Sequence, residues 1–430
     1  MLRLAYLVTH PIQYQAPLLR RIAREPGIDL TVLFGSDFSV RGYHDEGFGV
    51  EVAWDTPLLD GYKSEFLRSW RDAGTVSFTS PFSRGLYRRL QALQPDALWI
   101  HGYASLNSLQ GILAANAIGI PVLLRAESWL GDRPRSPLKL AAKSLLLRAL
   151  GPAIDAVLPI GTLNAAYWSR YFPAVPQFPM PYAVDNDWFA TRAAASDPAA
   201  LRAELDLDPG RPVILFASKL QPRKHAGHLL AAFHSLLNPG VARSSRALGA
   251  MSGELHLPYL LIVGDGEERT HLQQQATDLG IEPHLRFAGF RNQTELPAFF
   301  RVASVFVLPS QHEPWGLIVN EAMACGCPVI VSSDVGCHPD LIPAHSSPGG
   351  PFIARSLRDE RGTTTAPPGI VYPVGDIPAL TAALRCVLAT PETSSQMGAA
   401  ARARISTWSF EQDIAGLRAA LAHTTGKLRA

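Results

Sequence analysis

Cysteine is scarce: four residues in a chain of 430, at positions 325, 327, 337 and 386. So few thiols offer no disulfide framework. Cys325-Gly-Cys327 is too tightly spaced for a zinc knuckle, and no Cys-x-x-His partner lies nearby. The four read as small buried residues beside a sheet. Long apolar runs are also missing; none reaches about 18 residues, so no membrane-spanning helix is expected. The apolar start Leu2–Val8 soon meets His10 and Gln13. It is too short for the core of a signal peptide and suits a first strand, which points to a cytoplasmic protein. An excess of either charge is lacking too: the net value is +2, which gives a nucleic-acid partner no electrostatic support. No internal repeat of solenoid period is visible.

What is present is an ordinary globular composition, 47% hydrophobic and 18% charged, in a chain too long for one core. Short apolar runs, each followed by a helical pattern, recur along it. In the first half they are Leu2–His10, Ile28–Gly35, Ala97–Gly102, Pro121–Glu127 and Ala156–Gly161. The second half has Pro212–Lys219, Tyr259–Gly264, Leu285–Phe290, Ser304–Pro309, Pro328–Ser332 and Gly369–Pro373. Alternating strands and helices predict an α/β protein of two doubly wound, Rossmann-like domains with parallel sheets, facing across a cleft. The break falls after Tyr182–Asp185, where the chain becomes rich in Ala, Asp and Pro. The expected division is 1–185, 186–400, and a last helical stretch over 401–430 that returns to the first domain. Asn238–Glu254 and Ala344–Pro368 read as loose insertions. Ligands of such sheets bind beyond the carboxyl ends of the strands, so strand-end residues carry the functional reading.

Chief among these is His312-Glu313-Pro314-Trp315-Gly316-Leu317-Ile318-Val319-Asn320-Glu321-Ala322, directly after a buried-type strand. Pro314 and Gly316 break that strand, and a helix is predicted over Leu317–Cys325. Free backbone N–H groups at the helix start (Gly316, Leu317, Ile318) suit a phosphate. Glu313 and Glu321 can accept hydrogen bonds from sugar hydroxyls. Ser218-Lys219-Leu220-Gln221-Pro222-Arg223-Lys224 ends the first strand of the second half. Lys219, Arg223 and Lys224 can converge on a diphosphate and stabilise the charge that builds on a departing one. Gly264-Asp265-Gly266 ends the next strand and lets a ligand approach the backbone; Asp265 either meets that ligand or caps the following helix. At the strand ends of the first half stand His10 and Gln13, His101, and Glu127. His10 polarises a phosphate or an acceptor hydroxyl, or is structural. Glu127 hydrogen-bonds the acceptor or stabilises cationic character at the anomeric carbon, or else pairs with Arg125 or Arg133. Asp185-Asn186-Asp187 spells a metal-binding tripeptide but sits in the connector, and no other ligand cluster stands at a strand end, so no metal is expected.

Glu-Pro-Trp-Gly-Leu-x-x-x-Glu-Ala over residues 313–322, followed by Gly-x-Pro-Val-Ile, closely resembles the Glu-x7-Glu signature of family 4 retaining glycosyltransferases (group 1, GT-B type). Lys219…Lys224 resembles the family's Arg/Lys…Lys pair, and Gly264–Gly266 with Phe287-Ala-Gly-Phe290 resembles its nucleotide-base turn. Ser333–Leu341 departs from the family, with Cys337 for a glycine and Asp340 for a glutamate. Residues 125–128 stand where many relatives carry the catalytic histidine, leaving Glu127 or His10 in its place. The resemblance implies a retaining transfer without metal or other cofactor, from a nucleoside-diphosphate sugar to a saccharide or lipid-linked acceptor. It implies that Lys219, Lys224 and the helix start hold the diphosphate, that Glu313 holds the sugar and Glu321 the ribose. The acceptor would lie on the first domain with His101 and Gln13. A sugar-nucleotide epimerase or a non-catalytic binding subunit shares this architecture. Finally, Pro137–Leu150 is a helical segment with three cations and no acid, with further basic positions at 18–24 and 84–89. It either holds weakly to an anionic membrane surface or packs its leucines on the sheet with its lysines in water.

Overall fold

The computed structural model describes residues 1–70, 74–238, 257–343 and 366–427. The two expected insertions lie almost wholly outside the described residues. The chain divides into two units. One comprises Met1–His44, Glu51–Asp185 and Trp408–Ala430, and the other Asp45–Val50 with Asn186–Thr407. The helix expected from residue 401 is therefore two helices. Pro391–Ile405 belongs to the second unit, and Phe410–Thr425 to the first. Ser409 opens the latter with a reciprocal capping box to Gln412, which fixes the start of a separate helix.

The first unit is built on a six-stranded parallel sheet in the order Lys63–Phe66, Ile28–Phe34, Leu2–Val8, Ala97–His101, Val122–Arg125, Ala156–Val157. Successive side chains of Leu2–Val8 enter different cores. Leu2, Leu4, Tyr6 and Val8 join one cluster, while Ala5 and Leu7 join another. Past the exposed Arg3, a strand buried on both faces needs the continuous apolar run Leu4–Val8, because neither face tolerates a polar residue. The second unit repeats the plan in the order Leu285–Gly289, Tyr259–Val263, Val213–Ala217, Val305–Leu308, Val329–Ser332, Gly369–Tyr372.

Most expected strands are one or two residues too long, since their polar last residues are loop. Ala156–Gly161 shrinks to Ala156–Val157. In each sheet the strand order reverses beside the first strand of the unit, which is where an open sheet leaves a crevice at its carboxyl edge. The first unit's reversal lies between Leu2–Val8 and Ala97–His101; the second unit's lies between Val213–Ala217 and Val305–Leu308.

Candidate active site

At the second unit's crevice, Val305–Leu308 ends and the chain turns through Glu313 into the helix Leu317–Ala324. A neighbouring loop clamps the turn. Glu313 N–H donates to Asp334 O at 3.0 Å, Gly336 N–H to Glu313 O at 3.0 Å, and Cys337 N–H to Trp315 O at 3.0 Å. A Cβ on Gly336 would stand 2.0 Å from Pro314 O, so this close approach requires glycine. The segment that departs from the family pattern thus has a defined duty: it holds the Glu313 turn. Asp340 is buried in that segment, and its carbonyl accepts from Arg404 at 3.0 Å. Gly316 has a φ of +90° and starts the helix. The Val319 amide already donates to Gly316 O at 2.9 Å. This leaves the amides of Gly316, Leu317 and Ile318 without partners among the described residues.

Lys224 and Glu313, placed by sequence in separate roles, meet each other. The Lys224 ammonium donates to Glu313 Oε2, and Arg223 reaches the same oxygen at 3.3 Å. Both ends of the Lys224–Glu313 pair are buried. Burial lowers the Lys224 pKa and Glu313 opposes that shift. Glu321 is equally buried but has no cation; Gln293 Nε2 donates to it at a long 3.4 Å. Burial pushes its carboxyl up to about 8, with Gln293 pulling weakly the other way.

Lys219 finds a partner the sequence did not suggest. Its ammonium lies 2.7 and 2.8 Å from the two carboxylate oxygens of Asp45, and 4.8 Å above the Phe48 ring. Phe48 in turn meets Phe290 edge-on at 4.8 Å. Gly264 and Gly266 have φ of +123° and +150°. A Cβ on Gly264 would fall 2.0 Å from Ser218 O, so the turn lies hard against the Lys219 loop. Asp265 neither caps the next helix, which starts after Glu268, nor stands open. It accepts from Gly266 N–H at 2.9 Å and pairs with Arg269. Arg269 also lies 6.0 Å over Phe287, which is half-buried.

The first unit's crevice gathers His10, His101 and Glu127, and adds Tyr14 and Tyr182, which the sequence reading missed. Tyr14 OH donates to Glu127 Oε1 at 2.9 Å, and Tyr182 OH donates to the same atom. His101 Nε2 stands 3.8 Å away. Burial raises the Glu127 carboxyl, but His101, Tyr182 and Tyr14 more than offset it and hold it at about 2. Neither expected arginine pairs with Glu127. Arg133 is exposed, and Arg125 is buried against Asp413 at 2.8 Å, with further bonds to the Met180 and Pro181 carbonyls. Arg125 also underlies the Tyr182 ring at 4.7 Å, so the pair positions a tyrosine that holds Glu127. Burial, then His101, pushes the His10 pKa down to about 4. Its ring rests 4.6 Å from Phe38, so His10 is a neutral imidazole at pH 7. Gln13 is half-buried and makes no hydrogen bond to this cluster.

Elsewhere the cysteines are free thiols, buried at 325, 327 and 337. Asn186 starts a helix and donates to Ile405 O at 3.0 Å, committing the connector tripeptide to structure. No group of three His, Cys, Asp or Glu capable of holding a metal ion exists among the described residues. No described helix is long and apolar enough to cross a membrane. The helix Pro137–Leu150 buries Leu147 alone and leaves Leu138 and Leu145 80% and 73% exposed, contrary to the packed alternative. Lys143 is the cation that turns inward, 4.6 Å over Tyr167, and burial, then Arg135, lowers its pKa to about 8. Two of the further basic positions are committed to acids, Arg21 to Glu25 and Arg89 to Glu65.

Residues 198–404 match the family described as glycosyl transferases group 1. A lipopolysaccharide core biosynthesis glycosyltransferase of Rhizobium meliloti is 35% identical over 135 residues, covering 31% of this chain and 34% of that protein. A D-inositol 3-phosphate glycosyltransferase of Segniliparus rotundus is 26% identical over 337 residues, covering 74% and 65%. The chain thus spans between a third and two thirds of the length of these relatives. Among solved structures, Anabaena Alr3699/HepE in complex with UDP superimposes with a TM-score of 0.66 at 17% identity, covering 96% and 97% of the two chains. That likeness shows the fold, two Rossmann-like α/β units of the GT-B class.

Proposed function

We propose, from the match of residues 198–404 to the glycosyl transferases group 1 family, that the protein moves a sugar from a nucleoside-diphosphate sugar to a saccharide or lipid-linked acceptor, in the synthesis of a surface polysaccharide or glycolipid. One observation carries the reading: two cations share the single carboxylate of Glu313 beside three unpartnered helix-start amides. Two positive charges against one negative leave a net charge for a diphosphate, and the amides add directed donors. As the bond from the anomeric carbon to the diphosphate oxygen breaks, charge grows on that oxygen and these groups stabilise it without a metal. The acceptor oxygen then bonds the anomeric carbon on the face the leaving group vacates, retaining configuration, and its proton passes to the released diphosphate. Glu321 takes the ribose hydroxyls, for which its carboxylate has spare acceptor capacity. Glu127, ionised at neutral pH, orients an acceptor hydroxyl in the first unit.

The protein should be incubated with a panel of UDP-, GDP- and ADP-sugars, with and without EDTA, and assayed by mass spectrometry. Released nucleoside diphosphate with EDTA present is the expected result; activity that vanishes on chelation and returns with magnesium would overturn the metal-free reading. The exposed leucines of Pro137–Leu150, flanked by Lys139 and Arg148, support weak contact with an anionic bilayer from the cytoplasmic side. In sedimentation, wild type should follow anionic but not neutral vesicles, and Leu138→Gln/Leu145→Gln should stay in solution. Equal recovery of both proteins in the supernatant rejects the contact.

A further inference from the structure

A cavity of about 1200 Å³ opens in the second unit, with none of Lys219, Lys224 and Glu313 in its lining. Its lining includes residues that immediately precede strands: Pro212 before Val213–Ala217, Ser304 before Val305–Leu308, and Pro328 before Val329–Ser332. These strands run parallel, so the cavity lies at the amino edge of the sheet, while Lys219, Glu313 and Gly264 follow the opposite ends. Four arginines line it, Arg202, Arg211, Arg301 and Arg402, and no described Asp or Glu does. Arg211 is committed to Asp208 at 3.0 Å. The other three have no ion pair among the described residues. Arg202 donates to the carbonyls of Asp208 and Arg211 at 2.9 and 3.1 Å, and Arg402 to that of Cys325 at 3.3 Å. Arg301 is exposed.

Three arginines without carboxylate partners among the described residues line one hollow, and a multiply charged anion would complement them. Guanidinium forks match phosphate oxygens in pairs, which favours phosphate over a simple halide or a single carboxylate. The fifteen-residue helix Pro391–Ile405 also begins at this cavity, adding the positive end of its dipole. The volume leaves room for an organic body beside the phosphate.

We propose that this cavity binds a phosphorylated small molecule at a site separate from the diphosphate-holding crevice. The inference does not depend on the proposed transfer reaction. Titration calorimetry on the full chain, with glucose 6-phosphate and inorganic tripolyphosphate as probes, tests it. At least one probe should bind saturably. Arg202→Gln/Arg402→Gln should weaken that binding by about tenfold or more, while Lys219→Gln at the other edge leaves it unchanged. Glucose 6-phosphate binding without tripolyphosphate binding would assign the organic body a share of recognition, and the reverse would assign the site to the phosphate chain. Should the double variant fail to fold, Arg301→Gln carries the test, with a several-fold weakening expected. Absence of saturable binding, or loss in Lys219→Gln with the arginine variants unaffected, overturns the proposal.

Discussion

In the first unit Glu127 receives Tyr14, Tyr182 and His101, and these outweigh burial to hold its carboxyl at about 2. In the second unit Glu321, buried where the Glu127 side chain is 35% exposed, has one long contact to Gln293, and burial lifts it to about 8. The same side chain therefore takes opposite ionisation, and exposure and partners together decide it. Glu127 is an anion whose Oε1 is met by its own fold, leaving Oε2 for an acceptor; Glu321 has lone pairs that the described residues leave unmet. The cations follow the same division. They crowd the second edge, where Lys224 and Arg223 converge on Glu313, whereas the first edge holds its acid with His101 and two phenols. On the proposed reaction, a diphosphate would sit with the cations and a neutral hydroxyl acceptor with the phenols.

The largest effect expected comes from removing the buried cation. Lys224→Met leaves Glu313 with Arg223 alone, and breaking a buried pair costs about 3–5 kcal/mol. Urea unfolding should register that loss, and donor turnover should fall about 10³-fold. Lys224→Met/Glu313→Gln should regain much of the stability and none of the turnover. Turnover restored with the stability would remove the diphosphate from this edge. Next in size, Glu127→Gln should lower turnover about 10²-fold and leave nucleotide affinity intact. Its pH signature is specific. A carboxyl held below its ordinary 4.5 stabilises the fold above that value and loses the contribution as pH falls toward about 2. The stability gap between wild type and Glu127→Gln should therefore be full at pH 6 and close on acidification. A gap that does not narrow shows that the phenols, not the charge, matter.

Both sheets were legible because strands buried on both faces demand unbroken apolar runs, as in Val305–Leu308 and Leu4–Val8. The strand Lys63–Phe66 was not, because it lies at the sheet edge with half its residues exposed, and a polar edge strand has no such run. The Glu313–Glu321 segment was legible from its break-and-helix chemistry. The partners of its neighbours were not, because tertiary pairing is invisible to local pattern. Asp45 meets Lys219 across 174 positions, and Asp413 meets Arg125 across 288. Glu127 shows the consequence: Arg125 looked like its partner from two positions away, yet the strand ends at Arg125, Glu127 lies in the loop beyond it, and Arg125 turns to Asp413 instead. The leucines of Pro137–Leu150 misled for a related reason, since helical spacing says which residues share a face and not whether anything covers it.

The smallest effect, and the sharpest for the comparison, belongs to Glu321. Glu321→Gln keeps the shape and much of the acceptor capacity, so nucleoside-diphosphate affinity should fall only about tenfold, with less change in turnover of saturated enzyme. The pH dependence separates it from Glu127. A carboxyl raised from 4.5 to about 8 stays protonated in the folded chain while the unfolded chain ionises. The unfolded state then binds fewer protons, so stability falls as pH rises from 4.5 toward 8 and levels off above it. Replacing the acid by an amide removes this slope. Wild type should thus lose stability relative to Glu321→Gln between pH 5 and 8, the reverse of the Glu127 window. Bound nucleotide should flatten the wild-type slope, because ribose hydroxyls donating to the carboxylate favour its charged form and draw its pKa down. Gln293→Ala removes the one donor the fold supplies and should steepen the slope in the free protein. A wild-type slope unchanged by saturating nucleotide would mean that the ribose does not reach Glu321, and the acid would then be an unmet buried group with no ligand to satisfy it.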